Sequence, residues 1–128
     1  MADLGGTLER AIMDALWSAP GPLRVRELLA VLNRDAARPL AYNTVQTVAE
    51  RLHGKKLLRR IPDGNAFRYV PVKTREEHAV DLMLDAMTDS CDQGAILARF
   101  AENVDPTGAR TLLDALRRRA GDDREGRR

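Results

Sequence analysis

The sequence predicts a mainly α fold, in which an N-terminal winged helix-turn-helix with a small β-hairpin wing precedes a C-terminal three-helix dimerisation region. Residues 41–58 contain an amphipathic helix, and two short β-prone runs around a turn follow it directly. Three further segments with apolar residues at helical spacing fill most of the remaining chain. We therefore predict a winged-helix domain over residues 1–72, a helical domain over residues 73–120 and a disordered tail over residues 121–128.

The first helix is predicted from apolar residues on one helical face and from the breaker that ends it. Leu8, Ile12 and Leu16 recur at helical spacing, and two prolines and a glycine in residues 19–22 cannot continue the helix. Trp17 lies at this junction. Because the neighbouring segments contain few other large apolar residues, we predict that Trp17 anchors the core instead of stacking on a base.

A short strand and a supporting helix follow. Residues 23–25 are predicted to pair with the later hairpin, and residues 26–33 place apolar side chains in helical phase. The segment 34–40 contains a proline and suits a helix-to-helix connection. This second helix is predicted to support the amphipathic helix that comes next.

The central helix carries an apolar stripe and an unusually neutral polar face. Val45, Val48, Ala49 and Leu52 fall at i, i+3, i+4 and i+7, which forms one core-facing stripe. The opposite face carries amides and hydroxyls, which suit the edges of DNA bases. The residues predicted to read bases are Asn43, Thr44, Gln46 and Thr47. Taken alone, the same pattern also fits a solvated amphipathic helix.

A cationic hairpin follows the central helix. Residues 57–61 and 66–70 are β-prone, and the Pro-Asp-Gly-Asn run between them predicts a turn. Cations beside a polar helix face suit DNA phosphates. The residues predicted to contact phosphates are Arg24, Arg26, Tyr42, Arg51, Lys55, Lys56, Arg59, Arg60 and Arg68.

The charge is concentrated around this helix and hairpin. The whole chain has a net charge of +2, but residues 38–72 contain seven Lys and Arg against two Asp and Glu, which gives +5. A local excess of positive charge beside a polar helix face is typical of a polyanion-binding surface. We therefore expect double-stranded DNA as a partner.

The C-terminal segments predict three more helices. Thr74 and Glu77 form a capping-box pattern, and Asp105 followed by Pro106 fits a helix start. The apolar faces of these helices exceed what a small basic domain can cover while its DNA-binding surface stays free. The residues predicted to form a homodimer interface are Val80, Met83, Leu84, Met87, Ile96, Leu97, Phe100, Leu112, Leu113 and Leu116. Two-fold symmetry would then match a palindromic operator with half-sites about 34 to 36 Å apart.

Several classes of site and location are not expected. Cys91 is the single cysteine, and His53 and His78 are far apart, so we expect no disulfide, no metal site and no cofactor. Both histidines are predicted to be exposed or half-buried. No catalytic constellation is found, which predicts that the chain is not an enzyme. No apolar run reaches the roughly 20 residues that cross a bilayer, and no signal peptide is recognisable, so we expect a cytoplasmic location.

The chain resembles the BlaI/MecI/CopY family of bacterial repressors. Residues 8–17, LERAIMDALW, look like the first helix of that family; residues 42–52 and 55–58, YNTVQTVAERL and KKLL, look like its recognition helix and exit; residues 66–71, AFRYVP, look like its wing. The resemblance spans residues 8–116. It implies a homodimer that binds a palindromic operator and represses genes of the antibiotic-resistance type or of copper transport.

The chain departs from this family pattern at three places. Ala41 stands where members often carry Ser or Thr, which removes a side-chain helix cap. Cys91 replaces the paired Cys-x-Cys motifs of copper-responsive members, which argues against copper sensing. The resemblance also implies an upstream sensor protease, but Arg99 precedes Phe100 where the cleaved members have an Asn-Phe pair.

Two alternatives to a repressor remain open on sequence grounds. A winged-helix protein-interaction module would use the basic hairpin to bind an acidic partner, without sequence-specific DNA binding. A transcriptional activator would have the same fold and the same DNA-binding residues.

Overall fold

A computed structural model of the chain describes residues 6–34, 36–89 and 92–126, with side chains up to residue 121. The chain forms two compact units, Met1–Ala86 and Met87–Arg128. This structural division lies beyond the domain boundary that we predicted after residue 72, because the first half of the fourth helix packs against the first helix. Whether the DNA-binding and dimerisation functions divide at residue 72 stays a prediction.

The predicted mainly helical fold with a small sheet is confirmed. The elements in chain order are α1 (Thr7–Ser18), β1 (Leu23–Arg24), α2 (Val25–Asn33), α3 (Tyr42–Gly54), β2 (Leu58–Asp63), β3 (Ala66–Pro71), α4 (Arg75–Thr88), α5 (Gln93–Asn103) and α6 (Pro106–Gly126). The strands form one antiparallel sheet in the order β1-β3-β2. A short first strand and a two-stranded hairpin beside three helices is the arrangement of a winged helix.

The core of the first unit is formed by α1, α2 and α3 together with the sheet. Ile12, Leu28, Val45 and Leu52 are completely buried, and Tyr69 of β3 closes the core from the sheet. The predicted apolar stripe of α3 therefore faces the interior. Trp17 is partly buried and packs against this core.

The connection between α2 and α3 is held by one side chain. Asn33 Nδ2 donates to the carbonyl of Leu40 at 3.1 Å, and the amide N–H of Leu40 donates to Asn33 Oδ1 at 2.8 Å. Asn33 thus replaces the backbone partners that a loop of this kind lacks. The two bonds set where α3 begins and hold its polar N-terminal turn outward.

The C-terminal end of α3 is closed by a lysine in a left-handed backbone conformation. The N–H of Leu57 donates to Leu52 O and the N–H of Lys56 donates to His53 O, both at 3.0 Å, which is the Schellman pattern. Lys56 has a φ of 65°. Glycine adopts this conformation at the lowest cost, so the lysine side chain is held here at an energetic disadvantage.

The wing is a regular two-stranded hairpin. Asp63 pairs with Ala66 across a two-residue turn in which Gly64 has a φ of 65°, where a larger residue would be strained. Leu23 pairs with Tyr69, which confirms the predicted short strand before α2. The register places Arg60 opposite Tyr69 on the neighbouring strand.

The helices after the wing begin as predicted. The N–H of Glu77 donates to Thr74 Oγ1 and the N–H of Thr74 donates to Glu77 Oε1, which completes the capping box before α4. Asp105 Oδ1 accepts from the N–H of Gly108 directly after Pro106 begins α6. These local signals are confirmed because caps depend on residues only three positions apart.

The last helix extends further than the sequence indicated. α6 continues to Gly126, into the segment 121–128 that we predicted to be disordered. Once a helix is formed, each added residue gains one backbone hydrogen bond, so extension needs no apolar side chain. Residues 127 and 128 lie outside the described residues, as does Cys91.

Candidate nucleic-acid interface

The polar face of α3 is open to solvent. Asn43, Thr44 and Thr47 are exposed and Gln46 is half-buried, so none of these side chains is packed into the interior. Glu50, one turn after Gln46, shares their side of the helix. We call the surface formed by Asn43, Thr44, Gln46, Thr47 and Glu50 the reading face.

Two hydrogen bonds orient side chains on the reading face. Gln46 Nε2 donates to Glu50 Oε1 at 3.3 Å, and Thr47 Oγ1 donates to the carbonyl of Asn43 at 2.8 Å. The first bond uses one N–H of the Gln46 amide, and the second turns the Thr47 hydroxyl proton back toward the helix. Gln46 keeps its Oε1 and one further N–H for an outside partner, and Thr47 presents its methyl group.

The N-terminal turn of α3 has no side-chain cap. Ala41 occupies the N-cap position, and its side chain accepts no hydrogen bond. The first amide groups of a helix lack intrahelical partners and favour anions such as phosphate. The loss of a capping residue therefore leaves these amides accessible beside the exposed ring of Tyr42.

A cleft separates the reading face from the wing. It has a volume of about 310 Å³, and its walls include Tyr42, Gln46 and Glu50 from α3 and Arg60 and Phe67 from the wing. The guanidinium carbon of Arg60 lies 4.5 Å from the centre of the Phe67 ring, a cation–π arrangement that holds the cation at the cleft. The cleft thus brings together side chains that we predicted to read bases and side chains that we predicted to contact phosphates.

Tyr69 forms the floor of this cleft. Its burial, together with the nearby charge of Glu50, raises the pKa of its hydroxyl, although Arg60 acts in the opposite direction. A tyrosine is already neutral at physiological pH, and the raised pKa reinforces that state, so Tyr69 adds no charge to the cleft.

A four-residue ion-pair network fixes the wing to the start of α2. Arg24 and Arg68 both contact Asp63 Oδ2 at 2.7 Å, and Arg68 also contacts Glu27 Oε1 at 2.8 Å. We call Arg24, Glu27, Asp63 and Arg68 the wing clamp. Arg24 and Arg68, which we predicted to contact phosphates, thus already have carboxylate partners within the chain.

The wing clamp lowers the pKa of both of its carboxyl groups. Hydrogen bonds from Arg24 and then Arg68 hold the pKa of Asp63 below its ordinary value. The backbone N–H of Arg24 and then the charge of Arg68 do the same for Glu27, whereas desolvation acts in the opposite direction. In return, the pKa of Arg68 is raised, first by its hydrogen bond to Asp63.

The wing clamp predicts an acid-sensitive wing. Because the folded-state pKa of Asp63 is depressed, its contribution is present above the unfolded-state pKa and is lost as the pH falls below about 4. In Asp63→Asn, amide hydrogen exchange in β3 should be faster at neutral pH and should change less between pH 5 and 3. A smaller pH dependence of exchange should remain in this variant, because the pKa of Glu27 is also lowered.

Asp14→Asn is the matched control for this prediction. Asp14 also accepts a charged hydrogen bond, from Arg75 at 3.1 Å, but it lies on α1 away from the wing. Its removal should leave exchange in β3 unchanged. A pH profile of β3 that is the same in wild type and Asp63→Asn would show that the clamp does not hold the wing.

Two other residues that we predicted to contact phosphates, Lys55 and Arg51, lie beside the buried carboxylate of Glu9. Lys55 Nζ lies 3.0 Å from Glu9 Oε2, and Arg51 lies 3.8 Å from Glu9 Oε1. The Glu9 side chain is only 5% exposed. This pair ties α1 to the end of α3 and compensates the charge of Lys55.

The remaining predicted cations are better placed for DNA. Among the described residues, Arg26, Lys56 and Arg59 have no carboxylate within salt-bridge distance, and Arg60 contacts Phe67. Arg26 and Arg60 line the cleft beside the reading face. Lys56 lies elsewhere, in a cavity shared with α1 and α4.

Sequence reasoning missed two carboxylates that contact predicted site residues. Glu50 lies four positions after Gln46, so the helical spacing alone was a usable signal for their contact. Glu9 lies 46 positions before Lys55, and no local pattern links them. His78 was predicted to be exposed or half-buried, but it is only 6% exposed because it packs beside the Trp17 ring.

The predicted dimerisation residues include many exposed apolar side chains. Val80, Met83 and Leu84 of α4 and Leu97 and Phe100 of α5 are at least 40% exposed. Leu113 and Leu116 of α6 are exposed as well, whereas Met87, Ile96 and Leu112 are partly buried. Apolar surfaces of this kind mark sites of association.

The family is decided by comparison with known sequences. The sequence model of the penicillinase repressor family matches residues 5–118. The chain belongs to the penicillinase repressor family. This confirms the predicted family and identifies the chain as a DNA-binding transcriptional repressor.

Individual proteins and one solved structure are similar to this chain. The transcriptional regulator BlaI from two strains of Mycobacterium tuberculosis is 45% identical over 113 residues, which cover 88% of this chain and 80% of that protein. The crystal structure of a transcriptional regulator from Thermotoga maritima is 20% identical, covers 94% of this chain and 77% of its own, and has a TM-score of 0.48.

Two other kinds of feature are absent from the described residues. No helix among them is both long and apolar enough to cross a membrane. Within the same residues, no group of three or more His, Cys, Asp or Glu side chains is arranged to hold a metal ion.

Proposed function

We propose that this penicillinase repressor binds a palindromic operator as a homodimer and thereby represses genes of the antibiotic-resistance type. The observation that carries the proposal is the exposed reading face beside the basic wing. Polar side chains that can distinguish bases and cations that can bind phosphates meet at one cleft. The family provides the function, and the cleft provides a surface for it.

Asn43, Thr44, Gln46 and Thr47 read base edges in this proposal. An amide can donate to N7 of adenine and accept from its N6 amino group, and a threonine methyl can contact the methyl of thymine. Glu50 acts as a positioning residue, because its carboxylate holds one N–H of Gln46. The Gln46 oxygen then faces outward as an acceptor.

In this proposal, fewer residues contact phosphates than we predicted from the sequence. Among the described residues, Arg26, Arg59 and Arg60 have no carboxylate within salt-bridge distance, and they flank the reading face or lie on the wing. Tyr42 and the uncapped amides of α3 would add neutral contacts to the same strand. Arg24, Arg51, Lys55 and Arg68 mainly hold the structure, since each lies within 4.0 Å of a carboxylate.

The exposed apolar side chains of α4, α5 and α6 support the homodimer. A second copy of the chain would cover them, and a two-fold axis would present two reading faces to half-sites about 34 to 36 Å apart. A sensor protease that cleaves near Phe100 fits this proposal only if α5 unwinds. Phe100 lies inside that helix, and proteolysis requires an opened backbone.

Base reading and phosphate contact are separated by comparing Gln46→Ala with Arg60→Ala. Gln46→Ala should weaken operator binding by roughly 1 to 3 kcal/mol and leave random DNA nearly unchanged. Arg60→Ala should weaken operator and random DNA by similar factors and reduce the salt dependence. Fluorescence anisotropy with both duplexes at two salt concentrations measures each quantity.

The controls distinguish the proposal from a protein-interaction module. Arg10→Ala removes an exposed cation of α1 and should change the affinity for neither the operator nor random DNA. Equal losses on both duplexes for both variants would contradict the assigned roles. If the wild-type chain selects no duplex from genomic DNA at about 150 mM salt, operator binding itself is wrong.

A further inference from the structure

A cavity with both apolar and charged lining lies away from the reading face, where α1, the end of α3 and the start of α4 meet. It has a volume of about 220 Å³, with apolar walls formed by Met13, Trp17, Leu57 and Val72. A cavity of about 150 Å³ can hold a benzene ring, so this one has room for a small organic molecule. None of the residues around it lines the cleft at the wing.

Three lysines line the cavity, and two of them are paired with carboxylates. Lys55 is paired with Glu9 at 3.0 Å and Lys73 with Asp81 at 2.6 Å. Lys56 also lines the cavity, and no carboxylate among the described residues lies within salt-bridge distance of it. Lys56 therefore offers one positive charge to a bound monoanion.

A buried histidine in the same wall lacks a hydrogen-bond partner. His78 lines the cavity, is only 6% exposed, and its Nε2 is buried without a partner among the described residues. An unpaired buried polar nitrogen is costly, and a bound acceptor or donor would remove that cost. The neighbouring Trp17 Nε1 is already used, since it donates to the carbonyl of Lys73 at 3.0 Å.

The backbone at Lys56 adds a third observation. Lys56 closes α3 in the left-handed region with a φ of 65°, where glycine would be less strained. A non-glycine residue in this region at a cavity is typical of a functional position. The unfavourable backbone conformation keeps an ammonium group at the cavity that glycine could not supply.

We propose that this cavity binds a small organic monoanion, namely a carboxylate attached to an apolar body. The carboxylate contacts Lys56 and His78, and the apolar body packs against Trp17 and Met13. This goes beyond operator binding and does not depend on it. It gives the repressor a small-molecule site next to the first turn of α4.

Trp17 is the only tryptophan of the chain and provides the readout. The full chain without DNA is titrated with benzoate, with the neutral analogue benzyl alcohol and with inorganic phosphate, and Trp17 fluorescence is recorded. Benzoate should cause a saturable change. Benzyl alcohol and phosphate should each bind at least about five-fold more weakly, because one lacks the charge and the other lacks the apolar body.

Three variants locate the site. Lys56→Gln should weaken benzoate binding about five-fold, and the matched charge change Arg59→Gln on the wing should alter it less than about two-fold. His78→Phe should also weaken binding while the protein stays folded, because it removes the unpaired nitrogen and keeps a ring of similar size. Lys56 is exposed, so Lys56→Gln tests the site even if His78→Phe fails to fold.

The outcomes separate an anion site from a hydrated cavity. No saturable fluorescence change with benzoate means that the cavity holds water only, and the proposal is then wrong. It is equally wrong if benzyl alcohol binds as tightly as benzoate, or if Lys56→Gln and Arg59→Gln have the same effect. Because DNA is absent, any of these results leaves the operator proposal intact.

Discussion

Replacing both Leu97 and Leu116 with aspartate should convert the proposed homodimer to a monomer and weaken operator binding by about 100-fold or more. The two leucines lie on α5 and α6 and are 53% and 54% exposed. A charge placed within an apolar contact between subunits is desolvated without a partner, which opposes association. Neither side chain is buried within a single subunit, so the substituted monomer should remain folded.

The loss of DNA affinity follows from the loss of linkage between two half-sites. When one subunit of a dimer is bound, the second binds its half-site at a high effective concentration, which multiplies the overall affinity by roughly 10² to 10⁴. A monomer retains only the affinity of one reading face. Light scattering after size exclusion measures the mass of the protein, and fluorescence anisotropy measures the affinity for the operator and for a single half-site.

Ala98→Asp is the control for this experiment. Ala98 is exposed on α5 but lies on the side of that helix away from Ile96, Leu97 and Phe100. The same charge at this position should leave the mass and the operator affinity unchanged. A doubly substituted protein that stays dimeric, or that binds the full operator as tightly as wild type, would show that these leucines do not form the subunit contact.

Lys55→Met should destabilise the folded chain by about 2 kcal/mol, and by more than Glu9→Leu does. The Glu9 carboxylate is 5% exposed, whereas the Lys55 side chain is 35% exposed. Removing the lysine therefore leaves a buried carboxylate without its nearest ammonium group. Removing the glutamate leaves a lysine that can turn toward water, which costs less.

The expected destabilisation by Lys55→Met is smaller than that for breaking a fully buried ion pair, for two reasons. Lys55 is partly solvated in the folded state, and Arg51 remains 3.8 Å from Glu9 after the substitution. Urea denaturation at one fixed protein concentration gives the free energies of unfolding of wild type, both single variants and the double variant. The double variant should be more stable than Lys55→Met, because no buried charge remains.

Lys73→Met is a suitable comparison for the same charge change. Lys73 is paired with Asp81 at 2.6 Å, but the two side chains are 51% and 32% exposed, so this carboxylate is much more solvated than that of Glu9, which is 5% exposed. Its substitution should cost less than 1 kcal/mol, as is usual for surface ion pairs. If Lys55→Met and Lys73→Met have equal effects, the buried position of Glu9 does not determine the stability of the α1–α3 contact.

Features that depend on neighbours in the sequence were predictable. The apolar stripe of α3, the capping box at Thr74, the start of α6 at Pro106 and the turn at Gly64 are each encoded within a few residues. Their physical causes act over one helical turn or one hairpin, so periodicity and capping rules apply directly. The position of the reading face followed from the same helical period.

Features that depend on distant residues were not predictable. Arg24 and Arg68 were expected on phosphates, but in the folded chain they meet Asp63 and Glu27 across 39 and 41 positions. The extension of α6 beyond residue 120 was missed for a different reason. Composition indicates whether a segment can bury a core, whereas a helix that has already begun needs only its backbone bonds to continue.

By itself, the sequence determined the family, the order of the elements and the exposed polar face of α3, because residue type and spacing govern local structure. Only the tertiary structure decided which cations remain available. It pairs Lys55 with the buried Glu9, holds the wing through Asp63, and places His78 beside an apolar cavity. Charge is a property of the residue, but its accessibility depends on which distant groups the fold brings within a few ångströms.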